Sequence, residues 1–223
     1  MSTHASTALR QRRKEERPQE LLDAALALFV EKGFAATRSE EVAARAGVSK
    51  GTLYLYFPSK EELLKAVIRE HVSSQIAAGV QRVQGFEGPA ADLLREVLGG
   101  WWSQLYDSPA SAVFKLVITE VRNFPEIAQF YSQEVIHPGE QIIGSILQRG
   151  VKSGEFRLID VPSAVHSLVF PMVMLCLHKH SLGACVPMHD VDPHRFIHAH
   201  IELRLGGMLA PTQAGAARQP PKG

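Results

Sequence analysis

The sequence predicts an all-α protein, and three observations carry that expectation. Apolar residues recur at helical spacing along most of the chain, helix-capping residues precede those stripes, and glycines or prolines close them. Only Glu155–Ile159 has the composition of a strand, and it has no partner. In chain order, Leu21, Leu22, Ala25, Leu26 and Phe29 form an amphipathic stripe, with Pro18 suited to its first turn and Gly33 to its end. Thr37 followed by Glu40 reads as a capping box for a short helix through Val42, Ala43 and Ala46, which Gly47 stops. Ser49 can cap a third helix from Lys50 to about Tyr56, ended by Pro58. Ser59 with Glu62 forms a second capping box and opens a longer helix through Leu63, Leu64, Val67 and Ile68. Beyond the connection QGFEGPA, helix starts fall at Pro89, at Ser108-Pro109 and at Asn123-Phe124-Pro125. The last opens a long helix to Gly154, and two more start at Asp160 with Pro162 and at Asp192-Pro193.

Composition narrows the function classes. The 223 residues are 45% apolar, enough to bury a core, and two cysteines are too few for a disulfide framework and lack metal spacing. That suits a reducing cytoplasm. The N-terminus has charges with no apolar stretch behind them, unlike a signal peptide. The longest strictly apolar run, Leu168 to Leu177, contains Pro171 and falls short of a membrane span, so no membrane partner is expected. Net charge is only +1, but residues 1–60 carry ten cationic and seven acidic side chains. The excess lies where a polyanion would be met, although such runs are often only solvated faces.

The second and third helices hold the informative geometry. A short helix, a glycine turn and a helix beginning at Ser49 have helix-turn-helix spacing, with Ala43 small at the crossing and Val48 and Leu53 apolar beneath it. Outward on the third helix lie Lys50, Gly51, Thr52, Tyr54 and Tyr56. These supply a cation, a bare backbone, a hydroxyl and phenols for a major groove and its phosphates. Lys60 stands in the first turn of the next helix, where amides also face an anion.

The stretch EKGFAATRSEEVAARAGVSKGTLYLYFPSKEELL closely resembles the N-terminal DNA-binding domain of the TetR family of bacterial transcriptional regulators. Gly154-Glu155-Phe156-Arg157 ahead of Asp160 resembles a helix junction of the same family. The resemblance implies a three-helix helix-turn-helix domain over residues 17–60. The basic stretch ahead of it (1–16), with Arg10, Arg12, Arg13 and Lys14, is read as a flexible arm, more often a frayed, solvated helix extension than a minor-groove contact. The resemblance also implies a larger effector-binding and dimerisation domain (61–209), while the small, polar, Pro-rich composition of residues 210–223 reads as a disordered tail. Carried over by position, it implies phosphate contacts for Thr37, Arg38, Tyr54 and Lys60. Ser49, Lys50, Gly51 and Thr52 would stand at the head of the recognition helix, with Tyr56 nearby. Leu55 falls at a variable position from which no base preference follows.

For the larger domain, Trp101, Trp102, Phe114, Arg122, Phe170 and Met174 are candidate effector contacts, although most aromatics there must form core. The last two helices are expected to pair across a dimer through Val165, Leu168, Val169, Met172, Phe196, Ile197, Ile201 and Leu205. The helix carrying the first four is apolar nearly all round. Six histidines lie between His178 and His200, with His194 and His198 four apart, but no ligand set completes a metal site. No metal, cofactor or catalytic residue is expected. The expected function is a cytoplasmic, homodimeric transcriptional regulator acting as a repressor. It would bind a palindromic double-stranded DNA operator and be released by a small, apolar or aromatic effector. Two alternatives stay open: an architectural DNA-binding protein without effector control, and a metal-dependent enzyme or metal sensor using the C-terminal histidines.

Overall fold

The computed structural model describes residues 3–186 and 191–211, with side chains from Arg17 onward. Among the described residues the fold is helical, and the one extended pairing is an isolated antiparallel bridge between Phe156 and Leu209. The helices are α1 Thr3–Lys32, α2 Ser39–Arg45, α3 Lys50–Tyr56, α4 Lys60–Ile68, α5 Ser74–Gly85 and α6 Ala90–Leu94. They continue as α7 Trp101–Asp107, α8 Val113–Glu120, α9 Pro125–Tyr131, α10 His137–Lys152, α11 Val161–His180 and α12 Pro193–Met208. Three π-helical turns, Arg69–Ser73, Arg95–Gly100 and Ser132–Ile136, join α4 to α5, α6 to α7 and α9 to α10 without a loop. The predicted all-α class is observed, and residues 3–16, the basic stretch expected as a flexible arm or helix extension, continue α1 toward the N-terminus. Pro18 consequently lies inside that helix rather than in its first turn. Most of the expected tail, 212–223, and His189 fall outside the described residues.

The chain forms two compact units. One comprises the chain up to His71 together with Leu116–Tyr131; the other comprises Val72–Lys115 together with the chain from Ser132. The first unit therefore passes the boundary expected at residue 60. The reason is apolar: Leu63, Leu64, Val67 and Ile68 line one face of α4, and α4 packs on both α1 and α9. Phe34 is buried between the rings of Phe29 at 5.3 Å and Phe124 at 4.9 Å, both edge-on. Phe124 just precedes α9, and Ile127 and Phe130 on that helix are buried.

In the second unit the turn after α10 is the tightest piece of packing. Glu155 is buried, and its carboxylate accepts hydrogen bonds from the backbone N–H of Ala90 at 2.7 Å and Ala91 at 2.8 Å. It thus satisfies the orphan donors at the start of α6 from far along the chain. Arg149 donates to the carbonyls of Phe86 at 2.7 Å and Gly88 at 2.6 Å in the preceding loop. Phe156 is buried over Gly150, where a Cβ would come within 2.1 Å of its ring. The Glu155–Ile159 segment thus makes only a bridge: Arg157 N–H donates to Met208 and Ala210 N–H to Glu155, both at 2.9 Å. That clasp ties the end of α12 to the α10–α11 turn.

The packing of α11 and α12 corrects the expected dimer contacts. Val165, Leu168 and Met172 on α11, with Ile197, Ile201 and Leu205 on α12, are buried in their own subunit's core. They have no surface to offer a second copy, while Val169 and Phe196 are half-buried at its edge. The outward apolar side chains are instead Phe170 (62% exposed), Met174 (53%) and Leu203 (77%). By length and hydropathy α11 meets the criteria for a membrane span, contrary to the reading from its apolar run. Its all-round apolarity reflects one face in the core and one face outside.

The histidines serve local structure. His180 shares a hydrogen bond with Ser111 Oγ at 2.8 Å, His194 Nε2 lies 3.1 Å from Asp107, and His178 bonds the carbonyl of Val186. His200 is buried, stacks on Phe196 and bonds the carbonyl of Ser167 at 3.1 Å. His198, four residues from His194, sits instead beside Gly99. Among the described residues no three metal-ligating side chains converge.

This packing has two measurable consequences. Gly150→Ala must displace the Phe156 ring and should cost about 1–3 kcal/mol, read as a lowered Tm. Burial, then the nearby charges of Lys179 and Lys115 at His180 and of Arg204 at His200, depresses both pKa values. The unfolded chain therefore binds these protons first, so stability falls as pH drops below about 6.5. His200→Gln should flatten the Tm profile between pH 7.5 and 5.5; an unchanged profile would rule His200 out as a contributor.

Candidate nucleic-acid interface

The helix-turn-helix is built by backbone geometry at two glycines. Gly33 (φ +85°) ends α1 and Gly47 (φ +68°) ends α2, both in the left-handed region that a side chain makes costly. At Gly47 the turn closes with Val48 N–H donating to the Ala43 carbonyl at 2.9 Å. Ala43 and Val42 are buried beneath it, and Leu53 is the buried anchor of α3. Truncating Leu53 to Ala would cost about 2–5 kcal/mol, so the orientation of α3 rests largely on that one side chain. Ser49 caps α3 by accepting the Thr52 N–H at 3.1 Å, and Ser59 caps α4 by accepting the Glu62 N–H at 3.1 Å. Arg45 forms a two-pronged pair with Glu31 at 2.7 and 3.0 Å, and Lys32 pairs with Glu41 at 2.6 Å, fastening α2 to the end of α1.

The structure brings Arg38, Ser49, Lys50, Gly51 and Tyr54 to the surface, with Thr52 and Tyr56 half-buried beside them. Lys50 is paired with Glu40 of α2 and lies 5.7 Å from the Tyr54 ring. The hydrogen bond between them lowers the pKa of Glu40 and raises that of Lys50, so both are charged. Solvent-exposed pairs of this kind are weak, so a phosphate can displace the carboxylate. Gly51 leaves bare backbone, since a Cβ there meets nothing closer than Ser49 Oγ at 3.8 Å.

Two expected phosphate contacts are turned inward. Thr37 is 1% exposed, and its hydroxyl donates to the Gly33 carbonyl at 2.7 Å with Leu28 O at 3.2 Å. The cap of α2 consequently falls one residue later, where Glu41 accepts the Arg38 N–H at 3.1 Å. Lys60 donates to the carbonyls of Phe34 at 2.9 Å, Ala35 at 3.1 Å and Thr37 at 3.0 Å, and its ammonium lies 4.6 Å from the Phe34 ring centroid. An ammonium has three donors, and all three are engaged. Leu55, given no role from the sequence, is 85% exposed on the same helix as Lys50. Its signal is an apolar residue four positions after Gly51 on the face away from Leu53.

The second unit contains a cleft of about 440 Å³ between α5, the Arg95–Gly100 turn with α7, and α10. Of the six candidate effector contacts only Trp101 lines it. Trp102 and Phe114 pack together in the core, ring centroids 5.7 Å apart, because both face inward from their helices. Arg122 is exposed in the first unit, and Phe170 and Met174 belong to the outer face of α11. Sequence reasoning missed Gln75, Ile76, Arg82, Glu96, Gln104 and Ile142, which lie on three separate helical segments. Each of the three π-helical turns lies within or directly ahead of a helix lining this cleft, and such turns recur at functional sites.

Lys60→Met should lower stability by about 1.5–3 kcal/mol and leave the salt dependence of DNA binding unchanged. Lys50→Met should do the reverse, keeping Tm while reducing the slope of log K against log salt by about one unit. Thermal melts and salt titrations of both variants decide it.

Comparison with known proteins gives the same picture. Residues 21–67 match the family model described as bacterial regulatory proteins, tetR family, and residues 87–184 match a tetracyclin repressor-like C-terminal domain. The chain is 32% identical over 157 residues to the HTH-type transcriptional repressor KstR2 of Rhodococcus jostii, spanning 70% of this chain and 76% of that one. It is 28% identical over 117 residues to the HTH-type regulator YerO of Bacillus subtilis, spanning 52% of this chain and only 40% of that protein. Its fold matches the crystal structure of the regulator FadR from Bacillus subtilis in complex with stearoyl-CoA. The TM-score is 0.66 at 22% identity, covering 85% of this chain and 98% of that one. The chain belongs to the TetR family of bacterial transcriptional regulators.

Proposed function

We propose that the protein is a ligand-responsive repressor that binds a palindromic operator as a homodimer in the cytoplasm and is released when a small molecule enters the 440 Å³ cleft. The observation that carries the DNA-binding half is α3. A buried Leu53 and a serine cap hold it rigidly, while Lys50, Gly51, Tyr54 and Leu55 stand outward from it. Lys50, Arg38 and Tyr54 meet phosphates in this reading, and Gly51 lets the backbone approach the groove. Two-fold symmetry then asks for half-sites about one helical turn, ~34–36 Å, apart.

Homodimerisation is supported by the outer apolar face of α11 and α12. Phe170, Met174 and Leu203 would be costly to leave in water, and exposed apolar patches of this kind mark interaction surfaces. A second copy covers them in this reading, which also accounts for the apolar composition of α11 without a membrane. Release requires the effector to favour the dimer that cannot span the half-sites, with a coupling of about 1–3 kcal/mol. KstR2 carries the name of a transcriptional repressor, which supports that sign of control.

The test is a footprint on the DNA flanking this protein's gene at two salt concentrations. A compact, two-fold-symmetric protected site that survives the higher salt is expected; diffuse protection lost with salt would favour an architectural role. For the dimer, Leu203→Asp should give folded monomers by light scattering with weakened operator binding. Ile201→Asp should instead unfold the subunit, because its side chain is in the core. A dimeric Leu203→Asp variant would overturn the assigned face.

A further inference from the structure

On α3 the direction away from the core is marked by two residues of opposite character. Gly51 and Leu55 lie two positions either side of the buried Leu53, each about 200° round the helix from it. They therefore straddle the line that points straight out from the subunit. Gly51 carries no side chain, and a Cβ there would meet only Ser49 Oγ at 3.8 Å. Leu55 is 85% exposed, far more than any other large apolar side chain of the helix-turn-helix. The exposed Lys50 and Tyr54 stand to one side of this ridge, the half-buried Thr52 and Tyr56 to the other.

A lone surface leucine needs no explanation in general. This one stands at the centre of the helix face that the proposed function turns toward DNA, and the inference about it rests on that reading. An isobutyl group can neither donate to nor accept from a phosphate or a base edge. What the major groove offers it is the C5-methyl group of thymine. A groove about 8.5 Å deep admits a helix further where the leading residue has no side chain. The bare backbone at Gly51 thus brings Leu55, one turn on, within reach of the base edges. A second protein chain is a poorer occupant. Covering Leu55 would also bury the Lys50–Glu40 pair on the same face, and taking both charges out of water is costly.

We infer that Leu55 is a specificity-determining residue, packing on the methyl group of a thymine at one symmetric position of each operator half-site. Lys50 and Tyr54 hold α3 to the phosphates and set its register, whereas Leu55 reads sequence.

Replacing thymine by deoxyuridine deletes that methyl group and leaves every hydrogen-bonding group of the base in place. The full chain first selects duplexes from a random-sequence pool, and each thymine of the selected site is then changed to uracil in turn. At one position per half-site the wild type should lose about fourfold in affinity, the worth of one buried CH2 group. Changing both half-sites should cost about sixteenfold, since well-separated contacts add. Leu55→Ala should keep its Tm, because the side chain is exposed, and should bind the thymine and uracil duplexes equally. Lys50→Met should bind both more weakly and keep the fourfold ratio, as loss of a phosphate contact does. Absence of any uracil-sensitive position would overturn the role of Leu55. So would a penalty of the same size in Leu55→Ala, which would assign the effect to DNA shape. Selection of no two-fold site would instead overturn the operator reading, and this inference with it.

Discussion

The Lys60 ammonium, held by three backbone carbonyls at the end of α1, is the interaction that keeps the DNA-binding unit in shape. Phe34, Ala35 and Thr37 lie in a turn whose three carbonyls converge on this ammonium, and within the turn only the Phe34 carbonyl has a further backbone donor, the Thr37 N–H at 3.3 Å. One cation gathers them and packs over the Phe34 ring, while its own helix, α4, buries Leu63, Leu64, Val67 and Ile68. The start of α4 is thereby fixed against the start of α2. With α2 in place, Ala43 and Leu53 determine where α3 can lie. A residue that resembles a phosphate contact thus does its work inside the fold, and the polar side chains left outward at the head of α2 and on α3, Arg38, Lys50 and Tyr54, are ones that nothing in the interior claims.

The second unit relies on the same device with opposite charge. Glu155 is a buried acid satisfied by two backbone N–H groups at the start of α6, and Arg149 on α10 holds the loop before it through two carbonyls. Both put a charged side chain where a helix end or loop leaves backbone groups unpaired, sparing the interior an orphaned polar atom. Their geometry allows Phe156 to close over Gly150, and the resulting clasp sets the positions of α10 and the end of α12. On that scaffold two apolar surfaces stand out. One is concave and lined by three helices that each carry or follow a π-helical turn. The other is the outer side of α11 and α12, where Phe170, Met174 and Leu203 are exposed.

The corrections on α11 share one cause. Val165, Leu168 and Met172 are apolar at helical spacing, and so are Phe170 and Met174. On a helix apolar nearly all round, periodicity cannot say which stripe faces the subunit's own core. Trp101 and Trp102 are adjacent and chemically identical, yet the first lines the cleft and the second is core, since successive residues diverge by about 100° on a helix.

Features that depend on near neighbours along the chain are legible in the sequence alone. Glycines where α1 and α2 stop, serines capping α3 and α4, the prolines opening later helices and the helix-turn-helix spacing all act over a few residues. They are enough for the helical class and the family. Packing settled what depends on distant partners: Lys60 with a turn more than twenty residues away, Glu155 with α6, the inward Thr37, the exposed Leu55 and the wall of the cleft. A side chain's chemistry is written in the sequence, but which groups compete for its hydrogen bonds or exclude water from it is set only when remote helices pack against it.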